Sequence, residues 1–243
     1  EALPKLFPTG KKVAGFLLAK EIASLMVGIN PAKPVVAILS GMKFDTKLPL
    51  IQKYLQSADM LFIGGALFNN IIKSLGYEVG VSIIDKDASY IDTIVRTENF
   101  QKKVFIPNIV VVKDMTSGEV RNSAITEVKP SEFIEDIAEE SILSFVAEIK
   151  NLQVKTILWN GPVGNYDLPE FAKGTTVFAQ ALQDYIASHV DAHALIGGGD
   201  TVAAIEKIPG IHENDQIFIS TGGGAMLEFL EKEGQLPGIM SLL

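Results

Sequence analysis

The chain has no cysteine and only two arginines, Arg96 and Arg121, among its 243 residues. Without cysteine there is no disulfide, no thiolate metal site and no catalytic thiol. Without an arginine cluster there is no set of guanidinium forks of the kind that grips a small acid bearing carboxylate and phosphate groups. Histidine is scarce as well. His189 and His193 are four residues apart but fall across a predicted helix end with no carboxylate in a metal pattern beside them, and His212 reads as loop. Neither a nucleophilic triad nor a nucleophile elbow is present. No apolar run approaches the roughly 18 residues of a membrane span, Val13 to Ala19 being among the longest, and no signal-peptide pattern opens the chain. Basic charge is in deficit, the formal net charge being −8, which argues against non-specific nucleic-acid binding. These absences fit a cytoplasmic protein with neither a nucleic acid nor a membrane as partner.

What is abundant is apolar sequence and glycine. Hydrophobic residues make up 47% of the chain, enough for a full core in one large domain or two small ones. The first residue is Glu1 rather than Met, so a fragment of a longer protein is expected. Five apolar, strand-like runs end in glycine: Val35–Leu39 before Ser40-Gly41, Met60–Ile63 before Gly64-Gly65, Thr156–Trp159 before Asn160-Gly161-Pro162, Ala194–Ile196 before Gly197-Gly198-Gly199-Asp200, and Ile217–Ile219 before Ser220-Thr221-Gly222-Gly223-Gly224. With Gly164, these turns hold 11 of the 21 glycines, and a helical pattern follows most of them. If the strands lie parallel, their carboxyl ends share one edge where backbone N–H groups and helix N-termini can approach an anion. One or two such turns are explained by tight chain reversal alone. Five together point to a phosphate or nucleotide site.

The rest of the pattern gives the organisation. Residues 1–12, with Pro4 and Pro8, read as a linker, and 13–243 as one domain. Helical spacing covers 13–27, 46–57 and 66–75, the last stopped by Gly76, and a polar helix is expected over 88–102. Residues 82–85 resemble a short strand. Short strands at 104–106, 109–112 and 123–128, with a turn at 116–118, predict a small antiparallel excursion near 104–128. Residues 131–151 read as a kinked acidic helix, and 171–189 as the longest helix. The alternation predicts a three-layer α/β/α, Rossmann-like domain on a mainly parallel sheet.

No Walker A loop and no GxGxxG turn follow the first strand, so the site is of another kind. Lys43 and Lys47 lie just past that strand, where ammonium groups could neutralise a transferring phosphoryl group; otherwise they are two lysines on a wet surface. Asp200 follows three glycines at a strand end. It is either the N-cap of the next helix or a ligand that holds Mg²⁺ against phosphate oxygens. Ser220 to Ala225 offers hydroxyls and free N–H groups at a further helix start, or else an ordinary cap.

Several segments together resemble phosphoglycerate kinase. They are Trp159-Asn160-Gly161-Pro162-Val163-Gly164, Phe171-Ala172-Lys173-Gly174-Thr175, Gly197-Gly198-Gly199-Asp200-Thr201, and Ser220-Thr221-Gly222-Gly223-Gly224-Ala225 with Leu236-Pro237-Gly238. Val13-Ala14-Gly15-Phe16-Leu17 and Gly41-x-Lys43-x-x-x-Lys47 match as well. Order and approximate spacing are the family's, over essentially the whole chain, but they belong to its C-terminal half. The resemblance implies a six-stranded parallel sheet that binds MgADP or MgATP, an absent N-terminal half that holds the phosphoglycerate, and a monomer. The helix at 13–27 resembles the one that joins the two halves. By the same resemblance Lys43 and Lys47 would contact the terminal phosphates, Asp200 would hold the Mg²⁺ complex, and Gly198, Gly199 and Thr201 would lie at the phosphates. Gly222, Gly223 and Gly224, with Ser220 and Thr221, would face the phosphoryl group in flight. Asn160, Pro162 and Gly164 would line the nucleotide channel, Asp167 would bond the ribose hydroxyls, and Gly41, Gly64 and Gly65 would wall the adenine slot.

The chain departs from the family at Ser40, where the family has a second glycine, and at Asn165-Tyr166-Asp167, where it has Val-Phe-Glu. Phe133 to Glu140 stands in place of a Trp-Met-Gly-Leu-Asp-Ile-Gly-Pro segment that walls the adenine pocket. The phosphate end is better preserved than the base end. The resemblance implies transfer of a phosphoryl group between 1,3-bisphosphoglycerate and ADP, in glycolysis. The alternative is a non-catalytic nucleotide-binding module of the same descent.

Overall fold

The structure, a computed structural model, describes residues 4, 6–8, 10–42, 44–85, 89–206, 208–220 and 222–242, without the side chains of Asp45 and Ser89. Lys43 and Thr221 therefore lie outside the described residues.

Six strands form one parallel sheet: β1 (Val35–Leu39), β2 (Met60–Ile63), β3 (Val104–Phe105), β7 (Thr156–Asn160), β8 (His193–Gly197) and β9 (Ile217–Ser220), in the order β3-β2-β1-β7-β8-β9. All residues of β1, β2 and β7 are buried. Strands buried on both faces read as unbroken apolar runs, which is why these were legible. Their period of two sorts the core into two layers. Val36, Ile38, Ile157, Trp159 and Ile196 face one side; Val35, Ala37, Leu39, Leu158 and Leu195 face the other.

Helices cover both faces. On the first side lie α6 (Glu139–Leu152) and α7 (Lys173–Ser188), which bring Phe145 and Phe178 against the sheet. The Phe178 ring meets Trp159 edge-on at 4.8 Å between centroids. On the second side lie α1 (Phe16–Ile29), α2 (Phe44–Ser57), α4 (Ser89–Val95), α5 (Glu98–Lys103) and α9 (Gly223–Glu231). α3 (Gly65–Ser74) sends Phe68 and Ile72 to one layer and Leu67 and Ile71 to the other. α8 (Gly199–Ile205) follows β8, and α10 (Pro237–Met240) closes the described chain. The three-layer α/β architecture agrees with the sequence reading.

Four local readings are corrected. Val104–Phe105 is not part of the antiparallel excursion but pairs parallel with β2. The excursion is a separate sheet of β4 (Ile109–Asp114), β5 (Val120–Ala124) and β6 (Glu132–Ile137), in the order β5-β4-β6. It therefore extends past 128, and the stretch 131–151 is a strand followed by a helix rather than one kinked helix. Residues 82–85 carry no strand, and the polar helix over 88–102 is two helices separated at Arg96-Thr97. The Thr97 side chain caps the second by accepting the Phe100 N–H, which ends one helix and starts the next.

Candidate functional site

From β1 the chain builds outward to β2 and β3, then returns to the other side of β1 with β7, β8 and β9. The order reverses between β1 and β7. In open parallel sheets a crevice opens at such a point, beyond the carboxyl ends of the strands. Here those ends are held closely. Ser40 N–H donates to the Asn160 carbonyl at 2.8 Å, and Ser40 Oγ donates to the Pro162 carbonyl at 2.5 Å. Gly161 has φ +102°, and a methyl there would come within 1.8 Å of the Ser40 carbonyl oxygen, so the close approach of the two turns requires glycine.

β8 is tied into the same edge. Asn160 Nδ2 donates to the Gly197 carbonyl at 2.8 Å. Thr201 Oγ1 accepts the Gly161 N–H at 2.7 Å and donates to the Gly197 carbonyl at 2.9 Å. Both side chains are buried, so they brace the turns and do not project to solvent. On the β2 side, Gly65 N–H donates to the Val163 carbonyl at 3.1 Å, and a methyl on Gly65 would meet the Gly41 nitrogen at 2.6 Å.

A cavity of about 260 Å³ opens above this switch point. Of the residues singled out from sequence, Gly41, Gly65, Pro162, Gly164, Asp167 and Asp200 line it. Gly64, Lys47, Asn160, Gly198 and Thr201 are not in its lining. Lys47 differs from its sequence reading. It is 6% exposed, and its ammonium donates to the carbonyl of Ser40 and, at 3.5 Å, to that of Asn160.

Asp200 settles one of the alternatives. The N-cap position of α8 belongs to Gly198, with no side-chain cap bond, so Asp200 is not the cap. Its exposed carboxylate accepts the Tyr166 hydroxyl at 3.4 Å. Burial, then the charges of Asp200 and Asp167, raise the Tyr166 phenol, which keeps it a proton donor to Asp200. Gly222 is the N-cap of α9 and Gly223 and Gly224 open its first turn, beside the β8 turn: a methyl on Gly223 would meet Gly198 Cα at 3.2 Å. Ser220 is buried within this arrangement, its Oγ donating to Glu21 of α1 and accepting the Gly222 N–H at 3.2 Å.

Sequence reasoning missed much of the opposite wall. β6 supplies Phe133, Ile134 and Glu135, and Asn69, Ile83, Asn165 and Tyr166 complete it. Glu135 grips the turn after β7: its carbonyl accepts the Asn165 N–H at 2.7 Å and its Oε2 accepts Asn165 Nδ2 at 3.0 Å. Asn69 Nδ2 donates to the Ile83 carbonyl at 3.1 Å, leaving its buried Oδ1 without a partner among the described residues. Phe133 to Glu135 was signalled only as the segment that departs from the family, and Asn69 carried no sequence signal at all.

The comparisons agree with this architecture. A family model described as phosphoglycerate kinase matches residues 1–233. A phosphoglycerate kinase of Acidobacterium capsulatum is 38% identical over 238 residues, covering 96% of this chain and 57% of that protein. One of Roseiflexus castenholzii is 36% identical over 235 residues, covering 95% of this chain and 57% of that protein. The phosphoglycerate kinase structure from Coxiella burnetii superposes with a TM-score of 0.79 at 33% identity, covering 94% of this chain and 58% of that one. That from Pyrococcus horikoshii gives 0.76 at 26% identity, covering 94% and 56%. The chain spans little more than half the length of the curated relatives it matches. By the family model, these relatives and the shared fold, the chain belongs to the phosphoglycerate kinase family.

Proposed function

We propose that this chain is the nucleotide-binding half of a phosphoglycerate kinase, with MgADP or MgATP seated at the switch point between β1 and β7. The observation that carries the reading is the behaviour of the glycines. Gly41, Gly65 and Gly161 are explained by the fold, since each has positive φ and a neighbour in the way of a methyl. Gly199 and Gly224 are not. Neither has positive φ, and a methyl on either would meet nothing within 4 Å. Both stand in the first turn of a helix on the same sheet edge, where a missing side chain leaves N–H groups open to phosphate oxygens.

The roles are those that the family resemblance implies, and the lining of the cavity supports those of its wall residues. Gly41, Gly65, Pro162 and Gly164 shape the cavity walls, and Asp167, in the same lining, is assigned to accept the ribose hydroxyls. Lys43 supplies positive charge to the transferring phosphoryl group, and the N–H groups of Gly222, Gly223 and Gly224 donate to it. Lys47 neutralises the carbonyl ends of β1 and β7 beneath. No group of three or more potential metal-ligating side chains occurs among the described residues. That fits Mg²⁺ held by Asp200 together with phosphate oxygens, since this ion usually takes one or two carboxylates plus phosphates and water. When bound, it would screen phosphate charge. Phosphoryl transfer of this kind needs positioning and charge stabilisation, without a covalent intermediate on the protein.

The acid substrate needs another partner. Of the two arginines, Arg121 is spent on a two-pronged contact with Glu132, its Nε and Nη2 at 2.8 and 2.9 Å from the carboxylate oxygens. α1 leaves Phe16 98% and Leu17 81% exposed, an apolar surface suited to packing against the phosphoglycerate-binding half. A coupled assay tests the proposal. The chain alone should show no turnover, and addition of an N-terminal half in trans should restore conversion of 1,3-bisphosphoglycerate and ADP to 3-phosphoglycerate and ATP. If the mixture stays inactive while the chain still binds nucleotide, the reading reduces to a binding module.

A further inference from the structure

A buried carboxyl group that the proposed reaction does not use sits where three parts of the molecule meet. Asp136, on β6, is 2% exposed. Its Oδ2 accepts the N–H of Gly174, in the first turn of α7, at 2.7 Å, and its Oδ1 accepts the N–H of Ile137 at 2.8 Å. Two glycines pack onto Oδ1: a methyl on Gly164 would come within 2.0 Å of it, and one on Gly174 within 2.5 Å. Gly164 lines the cavity, as do Glu135 and Asn165, whose mutual contacts join β6 to the turn. The same turn is tied to α7 by the Val163 N–H, which donates to Thr175 Oγ1 at 3.0 Å. Strand, turn and helix thus close around one carboxyl group.

We propose that Asp136 is a positioning residue for the nucleotide: its ionised carboxylate holds α7 by accepting the Gly174 N–H and packs against Gly164, so that the 161–165 turn, bound to the same helix through Thr175, is seated against β6, and nucleotide affinity depends on that charge. This rests on the nucleotide reading above. Only the anion offers lone pairs alone on both oxygens. A proton makes one of the two oxygens a donor and weakens its hold on the N–H that it faces.

The charged groups on surrounding elements are engaged elsewhere. On β6, Glu132 pairs with Arg121 and Glu135 with Asn165. Lys113 of β4 pairs with Glu170, before α7. On α6, Glu139 takes Lys173 of α7 and Glu140 takes Asn122. Asp167, beyond the turn, acts on Tyr166. Burial raises the Asp136 carboxyl to about 7, against the lowering effect of the Gly174 and Ile137 N–H groups, so the change falls near neutral pH.

The test is calorimetric titration of MgADP into the wild-type chain and Asp136→Asn, from about pH 6 to about pH 8.5. The variant corrects for protonation of ADP itself. Wild-type affinity should rise over this range by about fivefold more than the variant's, the low end of ordinary coupling between sites. By reciprocity MgADP should lower the Asp136 pKa, followed by carboxyl-carbon NMR in the wild type, by about 0.7. That second measurement does not depend on the variant folding. Parallel affinity profiles, or an Asp136 titration unmoved by MgADP, overturn the inference and leave the nucleotide reading intact. No binding by the wild type at any pH overturns both.

Discussion

The ammonium of Lys47 is seated on the carbonyl oxygen of Ser40, the residue just past the end of β1. A lysine that sequence places at a phosphate edge is thereby part of the joint between β1 and β7. Hydrogen bonds from charged groups contribute about 1.5–3 kcal/mol, and removal takes this donor from the buried carbonyl of Ser40. Lys47→Met should therefore lower unfolding stability by about 2 kcal/mol, measured by urea denaturation. A change under about 0.5 kcal/mol, typical of a surface lysine, would mean that the joint does not depend on it.

Asp200→Asn should leave unfolding stability unchanged to within about 0.5 kcal/mol, because Gly198 occupies the cap position and the Asp200 side chain makes no cap bond. It should weaken MgADP binding far more than binding of ADP in chelator. Titrations with and without Mg²⁺ check this. Equal losses in both would remove Asp200 from the metal.

The two kinds of glycine should separate cleanly. Gly161→Ala meets the Ser40 carbonyl at a strained φ and should cost about 3 kcal/mol or more. Gly224→Ala has open space within a helix and should be neutral, or stabilising by up to about 1 kcal/mol. The same alanine should nevertheless impair phosphoryl transfer in the reconstituted enzyme. Full activity in Gly224→Ala would show that this glycine does not serve a ligand.

Stability should carry the mark of Asp136. Its folded pKa is about 7, against about 3.9 in an unfolded chain. Between these values the folded state holds the proton more tightly than the unfolded one. The contribution of this group therefore falls as pH rises from about 4 to about 7 and is level above that, by up to about 4 kcal/mol in all. Asp136→Asn should remove that slope. Urea denaturation at about pH 5 and about pH 8 checks it: the wild type should lose more stability between the two than the variant. Equal losses would place the titration elsewhere.

The same residue explains part of what sequence reading missed. Four residues of β6 are buried, Glu132, Ile134, Asp136 and Ile137; two of the four are acids, and a bulge shifts the register so that Ile134 and Ile137 pair with Val112 and Val110. A strand normally shows itself by apolar residues on its buried face. Here Arg121 of β5 neutralises Glu132, the Gly174 N–H of α7 donates to Asp136, and the bulge breaks the period of two, so the strand pattern was hidden and the stretch read as helix. β3 was misplaced because its two residues carry no period of their own; only pairing with β2 assigns them to the main sheet. The glycine turns were legible because each follows an apolar run within its strand. Lys47 was visible as a residue but not as a buried one, since its carbonyl partners come from β1 and β7 together.

The most direct test of the central claim is calorimetric titration of MgADP into this chain by itself. Nearly all the groups assigned to the nucleotide lie within it, so binding should be saturable, and it should raise the melting temperature as ligand is added. Absence of both heat and thermal shift at millimolar MgADP, by a chain that circular dichroism shows to be folded, would contradict it.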